Sequence, residues 1–283
     1  MIVDAHHHLW TADCPLLADE TYAPIRRDYT VDDLRDNLSA AGVDACVLVE
    51  PGRRDVAETV RCLATAAETP EIVGVVGWVP LTDPAVADLI GKYRTERGGQ
   101  LLVGARDQVI EEADDFLDRR GVQAGLRAVA DCGLVNELVV RVEQLPSVAR
   151  AAAALPDARF VLHQLGSPWI AGGIDGLAEW LDAIRPVAAC PNVVAKLSGL
   201  VTLAHWDRWR LDDLRPYVDH AVGLFGTGRL MFGSDWPVCE LAASYQQVTQ
   251  ALVSLLGGHP VDVFAETAIS TYQMEIDVYH RPR

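Results

Sequence analysis

Eight short runs rich in β-branched apolar residues recur along the chain, each followed by a longer stretch with helical spacing. The runs occupy residues 2–8, 45–50, 72–78, 100–106, 134–140, 159–164, 192–197 and 229–234. The helical stretches fall at 31–41, 56–68, 83–97, 111–131, 144–155, 175–188, 211–225 and 241–256. Strands separated by crossover helices pair in parallel, and nearly continuous apolar strands are covered on both faces. The simplest closure is a single α/β barrel of the (β/α)8 TIM type, with an open doubly wound sheet as the competing topology. At 283 residues the chain has a length that such a barrel fills, and no Gly/Ser/Pro linker divides it. We therefore expect one domain over 1–283, with a long loop over 10–30 and a final helix at about 260–272 packed on the outside.

Charge narrows the partners. The chain carries 24 Lys+Arg against 40 Asp+Glu, a formal net charge of −16. So acidic a chain repels phosphate backbones and anionic lipid, which argues against nucleic acid and membranes as partners. No apolar stretch reaches the about 18 uncharged residues of a membrane span. Six scattered cysteines without a CxxC pair, and an N-terminal apolar run broken by Asp4 and His6–His8, give the expectation of a cytoplasmic protein with reduced thiols. Neither a G-x-S-x-G elbow, a P-loop, a strand-borne G-x-G-x-x-G nor an HExxH helix is present.

Catalytic groups of a barrel project from the C-terminal ends of its strands. The first run ends in Asp4-Ala5-His6-His7-His8, which puts His6 and His8 on one face of a strand and His7 on the other. The eighth ends in Gly233-Ser234-Asp235-Trp236-Pro237, with a carboxylate just past an apolar strand. Strands one and eight are neighbours in a closed barrel, so His6, His8 and Asp235 are expected to converge as catalytic groups, or as ligands of a metal. Arg106, Lys196, His163 and Gln164 close three further runs and are candidates for substrate binding. Internal ion pairing is the competing reading for the cations. Trp10, Trp78 and Trp236 are candidates for a pocket wall, with ordinary aromatic packing as the alternative.

These residues bring a family into view. DAHHHLW (4–10), VVGWVPLTDP (75–84), LVGAR (102–106), NVVAKLSGL (192–200) and RLMFGSDWPV (229–238) resemble the amidohydrolase-2 family, and within it the sugar-lactone hydrolases. The likeness extends over almost the whole chain. It implies that His6 and His8 form the first-strand H-x-H pair and that Asp235 is the water-activating aspartate. It also implies that Arg106 meets the substrate and that Lys196 is the lysine of the K-L-S-G segment. Two departures stand out: Gln164 takes the place of the family histidine with His163 beside it, and Asp107 stands where histidine is frequent.

Gln is a poor zinc ligand, which leaves two readings of the cofactor: one divalent metal, zinc first, on His6, His8 and Asp235, or metal-independent catalysis. The resemblance implies hydrolysis of a small-molecule lactone, an anionic one included. Its rivals are metal-dependent decarboxylation or C–C hydrolysis of an aromatic acid, and a binding protein on a degenerate barrel.

Overall fold

The computed structural model describes residues 1–276; residues 277–283 of the expected domain lie outside the described residues. Eight parallel strands form one sheet in sequence order: β1 (Val3–His7), β2 (Ala45–Val49), β3 (Ile72–Trp78), β4 (Leu102–Asp107), β5 (Val135–Leu138), β6 (Phe160–Leu162), β7 (Val193–Leu197) and β8 (Leu230–Phe232). All eight expected strands are present, and the architecture is the (β/α)8 barrel. The helices that alternate with them are α1 (Val31–Ala41), α2 (Val56–Glu68), α3 (Val86–Thr95), α4 (Arg120–Asp131), α5 (Leu145–Ala154), α6 (Gly173–Ala188), α7 (Leu211–Phe225) and α8 (Tyr245–Leu256).

Local chemistry explains the helix limits. Thr30 caps α1 in a reciprocal box with Asp33, and Gly42 ends it in the left-handed conformation. Helix α4 starts nine residues later than its periodic pattern. Glu111, Glu112, Asp114 and Asp115 would repel one another at helical spacing, and this stretch folds instead as loop and short 3-10 turns. Arg141 donates to the carbonyls of Ile110 (2.6 Å) and Glu112 (3.0 Å), fixing that loop above the strand ends. Likewise α8 begins at Tyr245, where Ser244 and Gln247 form a capping box, rather than at 241.

The seam between β1 and β8 closes just past the end of β8. His8 N donates to Trp236 O (2.7 Å) and Asp235 N to His6 O (2.8 Å). Beneath these bonds the buried Asp4 carboxylate accepts from Ser234 N (2.8 Å), Ser234 Oγ (2.6 Å), His6 N (3.0 Å) and the Tyr245 hydroxyl (2.8 Å). Asp4 is thus the polar rivet of the closure, with its donors in place of water.

The chain terminus departs from expectation. Residues Asp262–Glu266 wind as a π-helix that runs into α9 (Thr267–Tyr272). Ala265, Ala268, Tyr272 and Met274 are buried with Val3, Ala45, Val76, Val135 and Met231 of the strands. The segment is therefore the floor of the barrel, not a helix laid on its outside. The reason is spatial: small inward residues such as Ala45 and Gly74 leave room at the strand N-termini, and Met274 Sδ lies close enough that a Cβ on Gly74 would stand 3.3 Å from it.

Candidate active site

The C-terminal mouth encloses a cavity of about 400 Å³ lined by His6, His8, Tyr22, Arg106, Gln108, His163, Gln164 and Asp235, among others. His6 and His8 both reach it although a bulge interrupts β1 between Asp4 and His7. The bulge turns Asp4 out toward α8 while keeping both imidazoles inside. His7 is buried outside the cavity, and burial lowers its pKa to about 3, so it stays neutral.

The two inward histidines meet one carboxylate. His6 Nε2 lies 3.1 Å from His8 Nε2 and 3.3 Å from Asp235 Oδ1; His8 Nε2 lies 3.9 Å from the same oxygen. Their outer nitrogens assign the tautomers. His8 Nδ1 donates to Val49 O (2.7 Å), which turns an Nε2 lone pair into the site. Lys196 Nζ donates to His6 Nδ1 (3.3 Å), so His6 Nε2 carries the proton that faces Asp235 and His8. Burial, then the nearby cations, lowers the pKa of both imidazoles well below the ordinary value. Burial raises that of Asp235 to about 7, against the opposing pull of Arg106.

Asp235 has a positive φ of 58°, an uncommon conformation for a non-glycine residue. That turn aims its carboxylate back over the barrel, where Gln164 Nε2 donates to Oδ2 (2.9 Å). On a regular strand, the adjacent residues His163 and Gln164 would face opposite ways. Instead β6 stops at Leu162, and positive φ at Gln164 (48°) and Leu165 (53°) rolls both side chains into the cavity. His163 Nε2 donates to Glu137, leaving Nδ1 to accept from Arg106 Nη1 (3.4 Å). Arg106 is held from behind, with Nε donating to Glu50 Oε1 (2.7 Å) and Nη2 to Glu50 O.

Other expected positions come out differently. Lys196 is fully buried and does not line the cavity. Its ammonium sits beneath His6, against Glu137 Oε1 (2.8 Å) and Oε2 (3.0 Å), so a direct substrate contact is not made from there. None of the three tryptophans lines the cavity either. Trp10 stacks on His8 with ring centroids 6.1 Å apart, Trp236 donates to Glu240 (2.8 Å), and Trp78 donates to Asp107 (3.1 Å). Each supports a loop rather than a ligand.

Glu50 and Glu137 escaped the sequence reading, although each is an acidic residue within an apolar strand run, a placement that needs a buried cation. Burial alone would raise the pKa of Glu137, but Lys196 and His163 outweigh it and hold the carboxyl well below the usual range.

Among the described residues, two sets of donors could hold a metal: His6, His8 and Asp235, and His6, Glu137 and His163. In the second, the Lys196 ammonium already supplies the positive charge. The first fits zinc in residue type, although His6 Nε2 offers a lone pair only with its proton moved to Nδ1, against the Lys196 donor. It offers two imidazoles and a carboxylate with an open side toward the cavity, and His8 has the outer carbonyl that metal-binding histidines use.

A parallel barrel with two imidazoles, a buried carboxylate and a clamped guanidinium at its C-terminal mouth has the architecture of a barrel hydrolase. The chain belongs to the amidohydrolase family, which it matches over residues 3–261. It is 39% identical over 259 residues to L-fucono-1,5-lactonase of Burkholderia multivorans, covering 87% of this chain and 85% of that protein. It is 33% identical over 251 residues to L-fucono-1,5-lactonase of Burkholderia ambifaria, covering 86% and 82%. An amidohydrolase structure from Burkholderia multivorans with bound zinc superposes with a TM-score of 0.90 at 33% identity, over 97% of this chain and 100% of that one.

Proposed function

We propose that this chain hydrolyses the ring ester of a sugar lactone, with Asp235 as the group that takes the proton from water. The observation that carries this reading is the convergence of Asp235, His6 and His8 at the base of the cavity, with Arg106 in the same wall. The likeness to two L-fucono-1,5-lactonases supports the substrate class.

Asp235 Oδ1 faces the imidazoles, while Gln164 holds Oδ2 and so fixes the direction of the free lone pairs. A water at this carboxylate gives up a proton as its oxygen attacks the lactone carbonyl. His6 Nε2–H and the Arg106 guanidinium are donors for the oxyanion that forms. Asp235, now protonated, returns its proton to the departing ring oxygen, and the product is an open hydroxy acid. A zinc ion held by His8 Nε2 and Asp235 would gain His6 Nε2 as a third ligand only with the His6 proton moved to Nδ1, where Lys196 now donates, and would supply Lewis-acid polarisation of the carbonyl when bound.

The reading is tested with a panel of five- and six-membered aldonolactones, following acid release above the spontaneous rate. Acceleration of at least one lactone supports it. Carbon dioxide release from aromatic acids with none from the lactones would replace it with decarboxylation. Two further outcomes are expected. Zinc added at about 100 times its Kd raises Tm by about 5–10 °C, and His8→Ala, read by the same thermal melt, abolishes the rise. Arg106→Lys, which loses the fork that grips Glu50 and with it a fixed donor to the oxyanion, lowers kcat by about 10-fold with a smaller change in KM, read from steady-state kinetics.

A further inference from the structure

Tyr272 lies in α9, at the end of the barrel opposite the cavity, yet its side chain is buried among the inward strand residues. Its hydroxyl donates to Glu137 Oε1. Glu137 is fully buried, and a carboxylate there has about four acceptor positions to fill. Lys196 Nζ bridges both oxygens, His163 Nε2 reaches Oε2, and Tyr272 fills the remaining position on Oε1. Each of the other two partners touches the reacting centre. Lys196 donates to His6 Nδ1 (3.3 Å), and His163 accepts from Arg106 (3.4 Å).

We infer that Tyr272 is a positioning residue for lactone opening, through which the terminal helix sets the orientation of His6 and His163 by way of Glu137. Without the hydroxyl, the Glu137 carboxylate keeps its charge but loses one of three anchors. It then turns toward Lys196 and His163, and both shift against His6 and Arg106. The aromatic ring contributes separately, since Lys196 Nζ stands 5.6 Å from its centroid. Tyr272→Phe keeps the ring and its packing and removes only the hydrogen bond. The inference rests on the lactonase reading for its kinetic arm alone.

The test compares the wild-type chain, Tyr272→Phe and Met274→Ala. Met274 packs in the same floor and reports what loss of packing alone does. Tyr272→Phe is expected to lower kcat by roughly 10-fold with KM within about twofold, as removal of an outer partner of a site histidine does. Met274→Ala is expected to lower Tm and leave kcat unchanged. In proton NMR, which needs no substrate, the His163 Nε2–H resonance is expected to move downfield in Tyr272→Phe, because Glu137 becomes the stronger acceptor.

A kcat within twofold of wild type overturns the inference. So does an unmoved His163 resonance, or a loss of kcat in Met274→Ala equal to that in Tyr272→Phe. If the wild-type chain opened no lactone, the functional reading would fail, and the resonance would still decide whether Tyr272 is coupled to the site.

Discussion

Asp235→Asn lowers the rate of lactone opening by about 10³-fold, the contribution of a well-placed proton acceptor. Asparagine has nearly the same shape, and its carbonyl can still accept from Gln164 Nε2 as the carboxylate oxygen does at 2.9 Å. The positive φ at this residue is one that asparagine tolerates as well as aspartate does. What the substitution removes is the capacity to take a proton. Stability should move the other way. Burial penalises the charge on Asp235, strongly enough to bring its pKa to about 7, so a neutral amide there is expected to keep or raise Tm. Steady-state kinetics and a thermal melt on the same preparation check both outcomes. A variant that retained near wild-type rates would remove Asp235 as the base.

Lys196→Met is expected to be the most destabilising substitution in the site. Lys196 and Glu137 are both fully buried, and their ion pair is made at 2.8 Å. Deleting one member leaves the other as an uncompensated buried charge, at a cost of about 3–5 kcal/mol. For a chain of this size that lowers Tm by about 10 °C. Adding Glu137→Gln removes the orphaned charge, so the double variant recovers much of the lost stability. Activity does not follow, since His6 Nδ1 still lacks its donor and returns no fixed proton on Nε2. Thermal melts and kinetics on both variants separate the two roles. Equal stability in the single and double variants would contradict the pairing.

Much of this was legible in the sequence, for physical reasons. The eight apolar runs are strands buried on both faces, and α1, α2 and α7 match their periodic stretches residue for residue. His6, His8 and Asp235 could be placed together because barrel closure makes the first and last strands neighbours. Features set by backbone torsion were not legible. Strand alternation says nothing of the left-handed turn that rolls both His163 and Gln164 inward, nor of the β1 bulge that turns Asp4 outward. Lys196 was seen but misdirected toward substrate. Its partner, Glu137, comes from a strand 59 residues earlier in the chain, and no local pattern connects the two. The floor built by the terminal helix was hidden for the same reason: amphipathic spacing shows that a helix is buried on one side, but not against what.

The reaction proposed for this site is attack of water on a lactone carbonyl. It is tested most directly by running the wild-type turnover of an accepted aldonolactone in water enriched in oxygen-18, with substrate limiting and the spontaneous rate subtracted. The expected result is one labelled oxygen in the carboxylate of the hydroxy acid, formed at a rate that Asp235→Asn abolishes. Label in the new hydroxyl, on the carbon that carried the ring oxygen, or a labelling rate indifferent to Asp235→Asn, would contradict it.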